Sequence, residues 1–206
     1  MSFTTLDDFL SRASDRLDPI QGAQSLQEVG DIDFVDEDHR PNIRAAAVLI
    51  PVIPRKDGPT ALLTQRPDTM AAHPGQVAFP GGKVDQVDAD AVAAALREAE
   101  EEVGVIPDSV ELVARAAPYV TGTAFRITPV LGVLPADFEA RPDPTEVADV
   151  FEAPLSFLFN TNNHQTGTAF WKGKHRQYIE MPWQGFRIWG VTAGIIRDLH
   201  ANLYET

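Results

Sequence analysis

A helix that is apolar along one side only has to be covered by something, and residues 88–103, "DADAVAAALREAEEEV", describe such a helix. Let Glu98 mark the origin, with about 100° per residue. Val92, Ala95, Leu96, Ala99 and Val103 then fall between about 60° and 160°. That stripe is a docking face for a sheet. Gly104 follows, the residue type that ends a helix in the left-handed conformation. The chain around this helix must therefore supply strands.

It does so on both sides of the helix. "IRAAAVLIPVI" reads as a buried strand, and "TALLTQR" as a second one after the turn "RKDGP". "QVAFPGGKV" is a short strand running into a Pro-Gly-Gly turn. "VELVARAAPYV" and "FRITPVLGVL" add two more. "EVADVFEAPLSFLF" leads from a strand into a short helix, and "GTAFWKGKHRQYIEM" has hairpin character around Lys172-Gly173-Lys174. "FRIWGVTAGIIRDLHANLYE" is a strand followed by a closing helix. Before all of these, Leu6, Phe9, Leu10, Ala13 and Leu17 share one side of a predicted helix. Residues 18–43 are polar and acidic. We read 1–43 as an N-terminal helix and acidic strap, and 44–206 as the main domain. There is no regular alternation of strand and helix, so the class is α+β: a mixed β-sheet sandwiched between α-helices.

The other side of the central helix is unusual. Four glutamates fall within five residues, and Glu98, Glu101 and Glu102 lie at about 0°, −60° and +40°. Like charges three and four apart repel by a few tenths of a kcal/mol per pair. Carboxylates in a last turn also oppose the helix dipole. Glu100, near 200°, points away, while Arg97, near −100°, flanks the stripe. Such a stripe is either a solvated acidic face or a seat for a hard divalent cation. Mg²⁺ and Mn²⁺ take oxygen ligands of this kind, typically one or two carboxylates plus substrate phosphates. The loop "FPGGKVDQVD" favours the cation, because paired glycines let backbone groups come close to a ligand.

Composition narrows the chemistry. A chain of 206 residues with 44% hydrophobic residues can bury a proper core. It has no cysteine, which removes disulfides, thiolate metal sites and cysteine nucleophiles. A net charge of −13 argues against nonspecific nucleic-acid binding. No apolar run approaches the roughly 20 residues of a membrane helix, and the N-terminus lacks a signal-peptide pattern. We expect a cytoplasmic protein without a membrane or nucleic-acid partner. A homodimer is open to such a chain, but nothing in the sequence selects an oligomeric state.

Taken together, the Gly-Gly loop and the Arg-Glu-x-x-Glu-Glu stripe resemble the Nudix box. The match runs through Arg97, Glu98, Ala99, Glu100, Glu101, Glu102, Val103, Gly104 and Val105, with Gly82 as the leading glycine. Two details depart from the pattern. Asp88 stands where the family has its first glutamate, and eight residues separate it from Arg97 where the family has seven. A bulge before the helix would absorb the extra residue. Upstream, "LLTQRPDTMAAHPGQVAFPGG" is similar to the segment preceding the box in the coenzyme A pyrophosphatase branch. Thr64, Arg66, Gly75, Val77, Phe79, Pro80, Gly81 and Gly82 match, while Ala71 stands where the branch usually carries arginine.

The resemblance implies a Nudix fold and metal-dependent hydrolysis of a nucleoside diphosphate linked to another group. It implies Glu98, Glu101, Glu102 and the Gly82 carbonyl as ligands of Mg²⁺ or Mn²⁺. Arg97 would orient a glutamate through an ion pair, with Asp88 as its other partner. Arg66, Gly81 and Gly82 are candidates for substrate contact. The general base comes either from the box or from a later loop, where Glu146 is the candidate. The simplest reading of Glu146 is a solvated acid before a strand. Tyr119, Phe170, Trp171 and Trp189 could stack on adenine. Aromatics on strands serve a core more often, so they are expected there. The leading expectation is hydrolysis of coenzyme A or its derivatives to 3′,5′-ADP and 4′-phosphopantetheine. The alternatives are another substrate such as ADP-ribose or NADH, or a noncatalytic nucleotide-binding module.

Overall fold

The structure, a computed structural model, describes residues 3, 5–35, 42–69, 73–171 and 173–205. In chain order these form α1 (Leu6–Arg16), β1 (Val29–Gly30), β2 (Arg44–Arg55), β3 (Gly58–Gln65), β4 (Val77–Ala78), β5 (Gly81–Lys83), α2 (Ala91–Val103), β6 (Glu111–Arg115), β7 (Tyr119–Val120), β8 (Phe125–Val133), β9 (Asp149–Pro154), α3 (Leu155–Leu158), β10 (Gln165–Trp171), β11 (Lys174–Trp183), β12 (Phe186–Trp189) and α4 (Gly190–Tyr204).

Alternation along the strands builds two cores. Ala47, Leu49 and Ile53 of β2, with Leu62 of β3 and Val130 of β8, face α2. Ile50, Val52, Leu63 and Leu131 face the other way, into a core that includes α1, α4 and residues of β11 and β12. A mixed sheet thus lies between helices, as the sequence implied. β2 and β8 are its parallel centre, with Arg44 opposite Phe125 and Val52 opposite Val133. A separate antiparallel sheet, β10-β11-β12, adjoins α4.

The sheet is split where the glycine loop sits. β2 and β3 pair at Val52–Arg55 and Gly58–Ala61, then diverge. β4 pairs with β3 at Thr64 and Gln65, and β5 pairs with β2 at Ala46–Val48. β9 covers the far edge of β3, so β4 and β5 fill the wedge between β2 and β3. "QVAFPGGKV" is therefore two strands rather than one, with Pro80 at the reversal.

The polar stretch after α1 is fastened to the sheet. Asp18 makes an antiparallel bridge with Arg115, and its carboxylate accepts from the backbone N–H of Ser25 and Leu26. β1 then pairs in parallel with β7.

Candidate active site

The central helix starts later than its sequence suggests. Asp90 is the N-cap, its carboxylate accepting from Val92 N–H and Ala93 N–H at 2.9 Å. Asp88, read from sequence as the first helical residue, lies in a turn closed by Asp88 N–H to Asp85 O. That turn takes up the extra residue before Arg97. At the other end Gly104 has φ 73°, and its N–H and that of Val105 return to Ala99 and Glu100 carbonyls.

Asp88 and Arg97 form the hub of the acidic face. Arg97 donates from Nε and Nη2 to both Asp88 oxygens, at 2.9 and 3.0 Å. Its Nη1 meets Glu98 Oε1 at 3.0 Å and Glu101 Oε2 at 2.9 Å. The bidentate Arg97 fork holds the Asp88 carboxyl below its ordinary range, and the same pair raises Arg97 further. Asp88, one carbon shorter than glutamate, thus reaches its partner across the turn.

The carboxylates separate into two groups. Glu98, Glu102 and Glu146 each present an oxygen such that all three lie within 4.8 Å of one another. Among the described residues this is the converging acidic group, and Glu101 stands outside it, 57% exposed and bonded to Arg97. Glu100 is exposed, as its angle required. The solvated-acid reading of Glu146 is corrected in part: the residue is exposed, yet its carboxylate joins the other two. The cause is the loop before β9. Arg141 N–H and Asp143 N–H bond the Val103 and Glu102 carbonyls, which a helix end leaves without partners. Asp143 then caps its own turn through Thr145. The clamp on the C-terminus of α2 brings Glu146 in. The only sequence signal for this was the Asp-x-Thr turn pattern in "DPTE", which does not name its docking site.

The glycine loop closes the other side. Gly81 N–H donates to Glu102 Oε2 at 3.2 Å. A Cβ on Gly82 would lie 2.5 Å from the Glu98 carboxyl oxygens, so only glycine leaves that carboxylate in place. Arg66, at the end of β3, is near enough for its charge to lower the Glu102 pKa.

Burial nonetheless dominates at Glu102, pushing its carboxyl up to about 8. The Gly81 hydrogen bond and Arg66 oppose the rise, and the charges of Glu98 and Glu146 add to it. Glu98 is likewise raised, first by burial and then by Glu101 and Glu146, against the pull of Arg97. Three converging carboxylates, one of them buried, are poorly compensated by the protein alone. The all-oxygen donor set and the bare glycine beside Glu98 fit a hard divalent cation.

The NUDIX domain family matches residues 43–171. The chain belongs to the Nudix family. Among its relatives, "Uncharacterized Nudix hydrolase NudL" of Enterobacter sp. (strain 638) is 43% identical over 196 residues, 95% of this chain and 93% of that protein. The protein of the same name from Escherichia coli (strain K12) is also 43% identical over 196 residues, with the same coverage. The one from Citrobacter koseri is 42% identical over 199 residues, 96% of this chain and 94% of that protein. This Nudix hydrolase is thus a pyrophosphohydrolase acting on nucleoside diphosphate derivatives, in a family that generally uses divalent metal ions.

Proposed function

We propose that the enzyme hydrolyses the pyrophosphate bond of coenzyme A or its derivatives, giving 3′,5′-ADP and 4′-phosphopantetheine. The observation that carries this reading is the position of Leu62–Gly82. The described part of this segment, which resembles the coenzyme A branch, runs from β3 through β4 into β5, where Gly81 N–H bonds the Glu102 carboxylate and Gly82 lies against that of Glu98. Arg66 supports it further, since its Nε is buried without a hydrogen-bond partner among the described residues. A guanidinium in that state suits a phosphate oxygen. Ala71, the departure from the branch, lies outside the described residues.

Glu98, Glu102 and the Gly82 carbonyl would hold Mg²⁺ or Mn²⁺, and Glu101 would join them by turning from its ion pair with Arg97. Such an ion, when bound, lowers the pKa of water and offsets charge developing on phosphoryl oxygens. The chain's own groups do the rest. Gly81 N–H and the apolar surroundings fix the Glu102 carboxylate. Arg97, itself held by Asp88, orients Glu98 and Glu101. Glu146, convergent yet exposed, has the access to solvent that a proton acceptor for the attacking water needs. Arg66 and the Gly81–Gly82 backbone bind phosphate oxygens. No covalent nucleophile is needed.

The test is kcat/KM for coenzyme A, dephospho-coenzyme A, ADP-ribose and NADH under one saturating metal condition. Coenzyme A should lead. If ADP-ribose or NADH wins by tenfold, about 1.4 kcal/mol in transition-state binding, the substrate is a different nucleoside diphosphate derivative. If none is turned over, the enzyme acts on a nucleoside diphosphate derivative outside this set.

A further inference from the structure

A cavity with aromatic walls lies outside the reacting centre. It measures about 460 Å³ and lies between the His73–Gln76 turn, the Thr121–Thr123 turn and the β10-β11-β12 sheet. Its size falls in the usual range for small-molecule sites. Tyr178, Trp189 and Phe170 line it, and Phe170 is 69% exposed, contrary to the expectation that strand aromatics here serve the core. Tyr119, from the same set, is indeed core.

We infer that this cavity holds the nucleobase of the substrate, an inference that rests on the chain acting on a nucleoside diphosphate derivative. The rings are held in place before any ligand arrives. Tyr178 lies over Gly167, its cross-strand partner, where a Cβ would meet the ring at 2.4 Å. The Tyr178 hydroxyl accepts from Arg187 Nη2 at 3.0 Å, and the Arg187 guanidinium sits 4.6 Å from the Trp189 ring centre. Rigid aromatic walls favour a flat ring, and base–aromatic stacking contributes about 1–3 kcal/mol per base. A pantetheine arm has no π-face to offer them. A phosphate is disfavoured because the Arg176 guanidinium in the lining is ion-paired with the Asp31 carboxylate, which lines the same cavity.

The cavity is also coupled to the catalytic loop. Arg66 N–H bonds Gln76 O at 3.0 Å, so the cavity edge is joined directly to the backbone of the residue whose charge acts on Glu102. Thr192 Oγ1 donates to Val77 O at 2.9 Å, which ties the first turn of α4, beside the cavity, to the strand leading into Gly81–Gly82. Finally, Tyr178, Arg176 and Trp189 lie beyond residues 43–171, the part that matches the family, and Asp31 precedes it. Chemistry at the phosphorus is shared by the family, whereas a wall added outside the shared segment is suited to choosing among substrates.

The experiment is calorimetric binding of AMP, ribose 5-phosphate and 4′-phosphopantetheine to the full chain with Mg²⁺, for wild type, Phe170→Ala and Tyr178→Leu. Phe170 is exposed, so Phe170→Ala keeps the fold. Wild type should bind AMP at least tenfold more tightly than ribose 5-phosphate. Both variants should lose fivefold or more for AMP and change little for the other two. The inference is overturned if wild type does not prefer AMP, if the variants keep its full preference, or if they weaken 4′-phosphopantetheine instead. These results are independent of the coenzyme A reading. A wild type that prefers AMP, variants that lose that preference and no turnover of coenzyme A would sink that reading alone, and turnover of coenzyme A with AMP binding untouched in the variants would sink this one alone.

Discussion

At the scale of single residues, the site trades stability for a charge arrangement. Glu102 is 4% exposed and its carboxyl is raised from 4.5 to about 8. A carboxyl raised on folding contributes stability below its unfolded value, and that contribution is lost as pH climbs through the folded value. The metal-free protein should therefore weaken between about pH 4.5 and pH 8. Glu102→Gln removes the effect. In chelator its melting temperature should match wild type near pH 4 and exceed it at pH 9, while metal-saturated activity drops by about a hundredfold or more. Scanning calorimetry at the two pH values decides, since an equal difference at both would refute a titrating Glu102. Arg97 makes a separate case. Its fork to Asp88 cannot be copied by an ammonium. Arg97→Lys should then cost about 10–100-fold in kcat/KM at saturating metal, as for other groups that orient ligands. Full activity would reduce Arg97 to a surface ion pair. The sequence revealed this stripe because its spacing is local. It did not reveal that Glu146 joins, because that depends on a loop docking on helix carbonyls from 40 or so residues away, a tertiary event without a local signature.

At the scale of elements, two adjacent glycines of β5 have different jobs, and a methyl group separates them. On Gly81 an added Cβ would meet Ala47 O at 2.3 Å and the Val48 Cα at 2.6 Å. Both are backbone atoms of the central strand and cannot yield. Gly81→Ala should lose about 1–3 kcal/mol in urea denaturation, the usual cost of overpacking. On Gly82 the obstacle is the end of the flexible Glu98 side chain, which can move aside. Gly82→Ala should melt close to wild type, yet lose at least tenfold in activity because the Glu98 carboxylate is displaced. Similar stability losses for both variants would count against the separation. Most strands and helices were legible for simple reasons. β2 is long and apolar, α2 has its stripe and its glycine stop, and the β10–β11 hairpin centres on Gly173. The wedge of β4 and β5 was not, because a split sheet depends on pairing partners in β2 and β3 that local pattern does not name.

At the scale of the molecule, the sandwich is closed by both ends of the chain. The sequence reads residues 1–43 as an N-terminal helix and acidic strap and 44–206 as the main domain. In the structure the helix packs into the core of the sandwich. Phe9 and Ala13 of α1 are fully buried in the core on the side of the sheet opposite α2. Phe9 meets Phe159 at 5.4 Å between ring centres. Arg12 Nη1 and Arg16 Nη1 donate to carbonyls of Leu203 and Asn202 in α4. Composition alone hid this, because an amphipathic helix at a terminus looks the same whether it docks or floats. Phe9→Ala should accordingly cost about 3–5 kcal/mol, the range for emptying a buried aromatic site. Activity below the unfolding transition should stay near wild type, since α1 packs on the face away from Glu98 and Glu102. Urea denaturation followed by Trp fluorescence, paired with hydrolysis assays in native buffer, reads both quantities. A loss under about 1 kcal/mol would mean that α1 adds little to the stability of the fold. A large loss of stability with intact turnover would make the N-terminal helix a structural layer of the catalytic domain.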